Sequence, residues 1–266
     1  MKYSNRFNLP KSLVDAITKN TYDLSSTDTN VISVTGLNNP PKIFQLSRRH
    51  WSELEEDVGD NIWRLLGSAV HDVLSRISEE GRLIEERIFV DLTTDTVITL
   101  KEDEKFVPIK GHTYLSGKPD LYDAVEFAVE DYKVTSVWAV KFDKPEWDNQ
   151  VNLYAWFIGK LGFQVDKAYI NAILRDWSSS QAARSPNTYP PIAYKRIEIP
   201  LWSVQEQELH IKERIELHQS YKDVPDDEIP HCSEDERWKN DIRCKQYCSS
   251  NKFCNYWKDK YGQEEV

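Results

Sequence analysis

The amino-acid sequence predicts an α/β fold, and three observations along its 266 residues carry that prediction. The stretch "DNIWRLLGSAVHDVLSRISEEG" places Ile62, Leu65, Leu66, Ala69, Val70, Val73, Leu74 and Ile77 at helical spacing. From "ERIFVDL" through "TVITL" and "YLSGKPDLYDA" to "FAVEDYKVTSVWAV" the chain is β-branched and aromatic, alternates at many positions and breaks at polar turns. "WDNQVNLYAWFIGKLG" returns to the helical period, and "KAYINAILRDW" follows as a further strand. Helix, strands, helix, strand is the order of an α/β core.

Residues 1–59 read as an adaptor: a short helix at "PKSLVDAITKN", a polar turn "DLSSTDTN", a strand "VISVT", then Pro40-Pro41. The core runs over 60–203. It opens on the first helix, which Asp60 is placed to cap and Gly81 to stop, with its apolar stripe turned to the core. The strands that follow read as members of one sheet, and the next helix ends on Gly162. "SSSQAARSPNTYPPIA" is too rich in breakers for a regular element and reads as a loop. A strand "KRIEIPLW" closes the core. Residues 204–266 comprise a charged helix and a segment holding all four cysteines.

A hydrophobic content of 39%, with 12% aromatic, excludes global disorder. The formal charge, 34 − 44 = −10, argues against broad adhesion to nucleic acid or to anionic membrane and leaves room only for a local basic track. No stretch reaches the roughly 18 apolar residues of a membrane span, and "MKYSNRFNLPKSLVDAI" lacks the apolar core of a secretory signal, so a cytoplasmic location without membrane contact is expected.

The chemistry centres on "GKPDLYDAVEFAVEDYKVTS". Strand side chains alternate faces, so Asp131 and Lys133 point one way while Glu130 and Tyr132 point the other. If "AVEF" turns a hairpin, Asp120 comes near Asp131, and two carboxylates converge beside one ammonium. Such a pair is costly unless a cation sits between them. Oxygen-rich sites suit Mg2+ or Mn2+, which can polarise a phosphoryl oxygen and acidify a water. Taken alone, D-x-K is as well a surface ladder pair. His71 lies in the apolar helix four residues after Gly67, which allows close approach, and Gln150 and Tyr154 share one face of the next helix. Singly, each has a structural reading: a satisfied histidine and an ordinary amphipathic pair.

The order G-x-x-x-H (Gly67, His71), G-x-x-D (Gly117, Asp120), D-x-K (Asp131, Lys133) and Q-x-x-x-Y (Gln150, Tyr154) resembles the signature of RecB-like nucleases of the PD-(D/E)XK superfamily, which include CRISPR-adaptation-type exonucleases. The opening stretch is similar to that of phage and prophage members. The resemblance implies a restriction-endonuclease-like core, a mixed central sheet flanked by helices, followed by the cysteine-rich helical segment. It implies a Mg2+- or Mn2+-dependent deoxyribonuclease, an exonuclease acting on single strands or duplex ends in phage replication or recombination, alongside a recombination or replication protein. In that frame His71, Asp120, Asp131 and the Tyr132 backbone carbonyl hold the metal, Lys133 is the catalytic lysine, and Gln150 and Tyr154 lie near the DNA strand. Glu86, next to Glu85, matches the family's acidic residue ahead of the sheet. The alternatives are a catalytically silent nucleic-acid-binding accessory module that keeps the fold, and an RNA-directed nuclease.

Cys232, Cys244, Cys248 and Cys254 follow C-x11-C-x3-C-x5-C. Without an export signal they read as metal ligands rather than disulfide partners, for zinc or for an iron–sulfur cluster. Many RecB-like nucleases close the domain with a [4Fe-4S] cluster, using one cysteine before the G-x-x-x-H helix and three near the C-terminus. Here "NNPPKIFQL" has no cysteine, and Cys232 would take that place. The "SSNKF" loop resembles the cluster-bearing members, and C-x3-C is unlike the C-x2-C of zinc knuckles, which puts [4Fe-4S] ahead of Zn2+ and free thiols third. Aromatic and basic residues interleave in this segment, Arg237, Trp238, Arg243, Tyr247 and Tyr256 among them, either to meet single-stranded DNA or to pack around the metal centre.

Overall fold

The computed structural model describes residues 1–19, 30–76, 81–100, 105–142 and 144–262. Ile77 and, except for Asn30, the turn read at "DLSSTDTN" lie outside them. In chain order the elements are β1 (Lys2–Ser4), α1 (Lys11–Lys19), β2 (Val31–Ser33), α2 (Val34–Leu37), α3 (Pro41–Arg49), β3 (Glu55–Asp57), α4 (Ile62–Ser75), β4 (Arg82–Ile84), β5 (Ile88–Asp91), β6 (Thr96–Thr99), β7 (Tyr114–Gly117), β8 (Leu121–Asp123) and β9 (Ala128–Thr135). There follow α5 (Pro145–Lys160), β10 (Lys167–Leu174), α6 (Ser179–Arg184), β11 (Tyr194–Ile199), α7 (Val204–Ser220), α8 (Glu234–Arg237) and α9 (Asn255–Tyr261). No helix among the described residues is long and apolar enough to cross a membrane.

The chain divides into two units. One gathers Met1–Thr27, Thr35–Ile62 and His210–Val266, and the other holds Asp28–Val34 and Trp63–Leu209. The adaptor and the cysteine segment therefore share a unit, though they stand at opposite ends of the sequence.

The second unit is a mixed α/β arrangement. Its strands form a five-stranded sheet, β11-β10-β9-β8-β4, and a four-stranded sheet, β2-β7-β5-β6, where the sequence reading expected one. The division has a local cause. β4 pairs with β8 and β5 with β7, so both strands of one long hairpin change sheet at the same level. On one side the change falls at Glu85, whose φ of 56° takes it out of the strand region, and on the other at Pro119, which has no N–H to give a ladder. The Glu85 N–H still donates to the Asp120 carbonyl at 3.1 Å, so the two edges stay in contact across the break.

The predicted hairpin at "AVEF" forms. Asp123 Oδ1 accepts from the N–H groups of Val125 and Glu126, Phe127 adopts φ 51°, and β8 meets β9 with Leu121 opposite Glu130. One step further along, Asp120 faces Asp131. β10 then pairs with β9 in parallel, with Ile170 beside Asp131 and Ala172 beside Lys133.

α5 covers this face. It starts on Pro145, whose missing N–H costs nothing in the first turn, and the chain leaves it through Gly162 at φ 89°. All residues from Val151 to Ile158 are buried, Val151 against Ala168, Ile170 and Ile199 of the sheet. α4 differs from expectation: none of its residues is buried, and Ile62, Trp63, Leu66 and Val73 stand exposed. Its entry is also different, because Asp57, not Asp60, caps the short turn that leads into it, accepting from Gly59 N–H, while Asp60 pairs with Arg6. The Ser/Pro stretch read as loop contains α6, capped by Ser178.

In the first unit α3 is the strut. Lys42, 1% exposed, donates through Nζ to the carbonyls of Asp226 and Ile229, Gln45 Nε2 to that of His218, and Arg49 to those of Tyr221, Lys222 and Val224. One nine-residue helix so ties the end of α7 and the chain that leads to Cys232.

Two glycines of the second unit should respond oppositely to alanine. A Cβ on Gly117 would stand 2.6 Å from the ring of Phe157, which is fully buried and cannot yield, so Gly117→Ala should cost about 1–3 kcal/mol in urea unfolding. Gly67 has nothing within 4 Å of such an atom. The close approach expected of it is not made, and Gly67→Ala should leave stability unchanged or raise it by up to about 1 kcal/mol.

Candidate functional site

The break between the sheets is also where acidic side chains gather. Asp131 lies on β9 facing α5, 1% exposed, and neither of its carboxylate oxygens has a hydrogen-bond partner. The Lys133 ammonium stands 2.7 Å from Asp131 Oδ2, close enough for charge pairing but outside hydrogen-bond geometry. Asp120 is fixed from the other side: its Oδ2 accepts the N–H of Tyr132 at 2.7 Å. Tyr132 thus enters through its backbone N–H, while its hydroxyl turns to Glu130 on the opposite face.

Three ligand-type groups come within 4.8 Å of one another here: His71 from α4, Glu85 from the end of β4, and Asp120. His71 Nδ1 is 2.9 Å from Glu85 Oε1 and 3.4 Å from Asp120 Oδ1. Glu85 also pairs with Lys118. Asp131 adjoins this trio without belonging to it. Glu86, the acid singled out in the sequence, is exposed and stands apart, and its neighbour carries the carboxylate inward. The strand register accounts for this: Ile84 pairs with Leu121 and Ile88 with Gly117, so Glu85 stands opposite Asp120 and shares its face, while Glu86 falls on the other. Lys118 was missed as well, although "GKPD" places it two residues from Asp120.

Electrostatics mark the spot. Burial, and then the neighbouring Asp131, push the Asp120 carboxyl up to about 7. The hydrogen bond to Glu85 raises His71 above its ordinary range, with Asp120 and Asp131 adding to it. Burial works upward on Glu85, but His71 and Lys118 together outweigh it and hold that carboxyl below the usual value. Acids that repel one another, with two buried oxygens lacking a hydrogen bond, form a donor set suited to a hard divalent cation.

α5 supplies the last pieces. Lys133 Nζ donates to Gln150 Oε1 at 3.0 Å, and Gln150 Nε2 donates to the Tyr154 hydroxyl at 2.9 Å. The four-residue spacing of Gln150 and Tyr154 makes a relay that aims the lysine.

The four cysteines come together in the first unit, around one cavity lined also by Lys42, Ile43 and Leu46 of α3. α3 thus stands where the sequence lacks an N-terminal cysteine. Burial raises the Cys232 thiol to about 12 and that of Cys244 to about 11, with neighbouring acids and sulfurs adding to both, and burial also lifts Cys248.

The basic and aromatic residues beside these cysteines are largely engaged within the segment. Buried Asp241 accepts from Arg237, Tyr256, Lys260 and Tyr261, and Arg243 lies over the Trp238 ring. Of the two readings of that mixture, packing within the segment is the one these contacts follow.

No protein-family model matches the chain, and no curated protein matches it. Among solved structures, the crystal structure of SSO0001 matches with a TM-score of 0.53 at 17% identity, over 91% of this chain and 94% of that one. A phage related exonuclease from Haemophilus somnus 129PT matches with a TM-score of 0.30 at 16% identity, over 70% and 72% of the two chains. The first is a likeness of fold, and the second is too loose to define a shared one.

The site makes a pH-dependent prediction. With its pKa raised from 3.8 to about 7, Asp120 keeps a proton in the folded chain that the unfolded chain has lost. It therefore withdraws stability as pH rises from about 4 to about 7. Raised His71 adds a contribution that is present at low pH and lost as pH rises through its folded pKa. The metal-free protein should melt at lower temperature at pH 8 than at pH 6, and Asp120→Asn should flatten that difference. Mn2+, which competes with these protons, should raise the melting temperature more at pH 8 than at pH 6. Equal shifts at the two pH values would contradict the assignment.

Proposed function

We propose that the chain is a metal-dependent deoxyribonuclease with a restriction-endonuclease-like core, hydrolysing phosphodiester bonds from single-stranded or duplex DNA ends, as the resemblance to RecB-like nucleases implies. The observation that carries the reading is the buried Asp131 carboxylate, beside Asp120 and Lys133, with no hydrogen bond to either oxygen. Asp120, Asp131 and His71 would hold Mg2+ or Mn2+, with the Tyr132 carbonyl as a further donor and Glu85 in the place expected of Glu86. Such an ion, when bound, supplies Lewis-acid polarisation of the phosphoryl oxygen and a more acidic water.

The chain's own residues do the positioning. Glu85 holds the His71 imidazole by its Nδ1. Gln150 occupies one donor of the Lys133 ammonium, and an ammonium has three, so others remain to direct a water or to meet charge developing on the phosphoryl oxygens. Tyr154 fixes which end of the Gln150 amide faces the lysine. On this reading Gln150 and Tyr154 act through Lys133.

On the same reading Cys232, Cys244, Cys248 and Cys254, which line one cavity, hold one metal centre, a [4Fe-4S] cluster ahead of zinc, because the "SSNKF" loop resembles that of cluster-bearing members and C-x3-C is unlike the zinc knuckles. Its contribution is to the folding of residues 230–257, a segment with few aliphatic residues to bury.

Digestion of end-labelled linear and circular DNA, single- and double-stranded, with Mg2+ or Mn2+, tests the activity. Asp120→Asn, Asp131→Asn and Lys133→Ala should each lower the rate by about 100-fold or more. Gln150→Ala should lower it less, since the ammonium stays and only its aim is lost. Folded Asp131→Asn protein cutting at the wild-type rate would sink the reading, and DNA binding without cleavage by the wild type in any metal would leave the accessory module in its place. Anaerobically purified protein should contain iron and acid-labile sulfide in equal amounts and absorb broadly in the visible. Stoichiometric zinc without colour would overturn the cluster.

A further inference from the structure

β9 and β10 run parallel and end side by side, Thr135 beside Leu174; the chain beyond β9 carries exposed aromatic rings, and Arg175, just beyond β10, lies over the exposed Trp63 ring of α4. We infer that this rim, formed by Trp138, Phe142 and Lys141 after β9 and by Arg175 after β10 with Trp63 of α4, is a stacking platform for the bases of a single-stranded nucleic acid whose backbone reaches Asp131 and Lys133. The inference rests on the nuclease reading for the strand's destination and adds the feature that selects unpaired bases.

The rim is rigidly mounted. Arg175 N–H donates to the Thr135 carbonyl at 2.9 Å and Val137 N–H to Asp176 Oδ1 at 2.7 Å, which locks the two departing segments together. Val137 and Val140 are buried against Ala172 and Leu174, so the turn from Ala139 to Lys141 is anchored from below. Trp138 and Phe142 flank that anchor. They are 66% and 54% exposed, their ring centroids 4.8 Å apart and edge to face. Burial does not account for two large rings held at the surface on such a mount, since both leave most of their area in water. Stacking against a flat ligand does.

Charge and position select the ligand. Lys141 Nζ lies 6.0 Å from the Trp138 centroid, and the Arg175 guanidinium lies 4.5 Å over the Trp63 ring. Plates paired with cations suit a ligand that alternates flat bases with phosphates. In a chain of net charge −10 such cations matter locally. Trp138 is five residues beyond Lys133, at most about 17 Å of extended chain, so a strand with a phosphate at the acids would lay its following bases over the rim. The C-terminal ends of parallel strands are also where open α/β sheets receive ligands. Paired bases in a duplex hide their faces from such plates, and unpaired bases offer them.

The test reads binding without hydrolysis. Full-length Asp131→Asn protein in EDTA is titrated into a labelled single-stranded oligodeoxynucleotide, an oligoribonucleotide of the same sequence, the matching duplex, and a single strand with consecutive abasic positions. Trp138→Ala combined with Phe142→Ala should weaken single-strand binding by about 5- to 150-fold. Duplex binding should stay the same, and Trp138→Phe should keep most of the single-strand affinity. On the abasic strand the aromatic and alanine proteins should bind alike. The ribose arm decides whether DNA or RNA is held more tightly. Equal binding of the base-bearing strand by both proteins overturns the inference, and so does an equal loss on the abasic strand. A chain that behaves as expected here but cuts nothing fails only the nuclease reading. One that cuts DNA while its alanine variants bind as before fails only this inference.

Discussion

Two carboxylates facing each other out of water, Asp120 and Asp131, set the terms for the rest of the second unit. Taking such a pair from solvent is unfavourable unless positive charge compensates it. Lys133 comes from the same strand, His71 from α4, and Lys118 reaches the adjoining Glu85 from the turn. Each compensating group has its own support: α5 aims Lys133 through Gln150 and Tyr154, and Glu85 holds His71. The interruption of the sheet is part of the same arrangement. The register shared by β4–β8 and β5–β7 sets Glu85 directly opposite Asp120, so both carboxylates fall on one face, and the positive φ at Glu85 and the proline before Asp120 interrupt the ladder there.

The same physics recurs with softer ligands in the first unit. Buried thiols near one another resist losing their protons, and Cys232 and Cys244 are held far from ionisation. A metal that binds thiolates would make ionisation of such a grouping favourable. The neighbours are arranged for anionic sulfur: the Arg243 charge favours the thiolates of Cys232 and Cys248, and buried Lys42 lines the same cavity. Lys42 also grips the carbonyls of Asp226 and Ile229, so the residue that brings positive charge also holds the chain leading to the first cysteine.

The core of the site was legible in the sequence because it is local. Strand alternation put Asp131 and Lys133 on one face, and the "AVEF" turn fixed the register that brings Asp120 across. Helical spacing put Gln150 and Tyr154 on one face, and their hydrogen bond follows from it. What was not legible depends on backbone conformations that periodicity cannot carry. Nothing in "IEERIF" distinguishes Glu85 from Glu86 until strand pairing sets Glu85 opposite Asp120. The split into two sheets follows from the same residue and from a proline that reads equally well as an ordinary turn. The apolar stripe of α4 is real, yet periodicity reports which residues share a face and not what covers that face. Long-range association of the two ends of the chain around α3 had no sequence signal beyond the buried lysine itself, which composition would place on the surface.

The central claim is that the Asp120–Asp131 pair exists to hold a divalent cation. The most direct measurement is the anomalous difference map of crystals grown at neutral pH with Mn2+. The account predicts one strong peak bonded to carboxylate oxygens of both Asp120 and Asp131, with His71 or Glu85 completing its shell and Lys133 turned toward solvent water on Gln150. A map with no peak at saturating Mn2+, and Lys133 still paired with Asp131, would contradict it and leave the two acids as a structural ion-pair cluster.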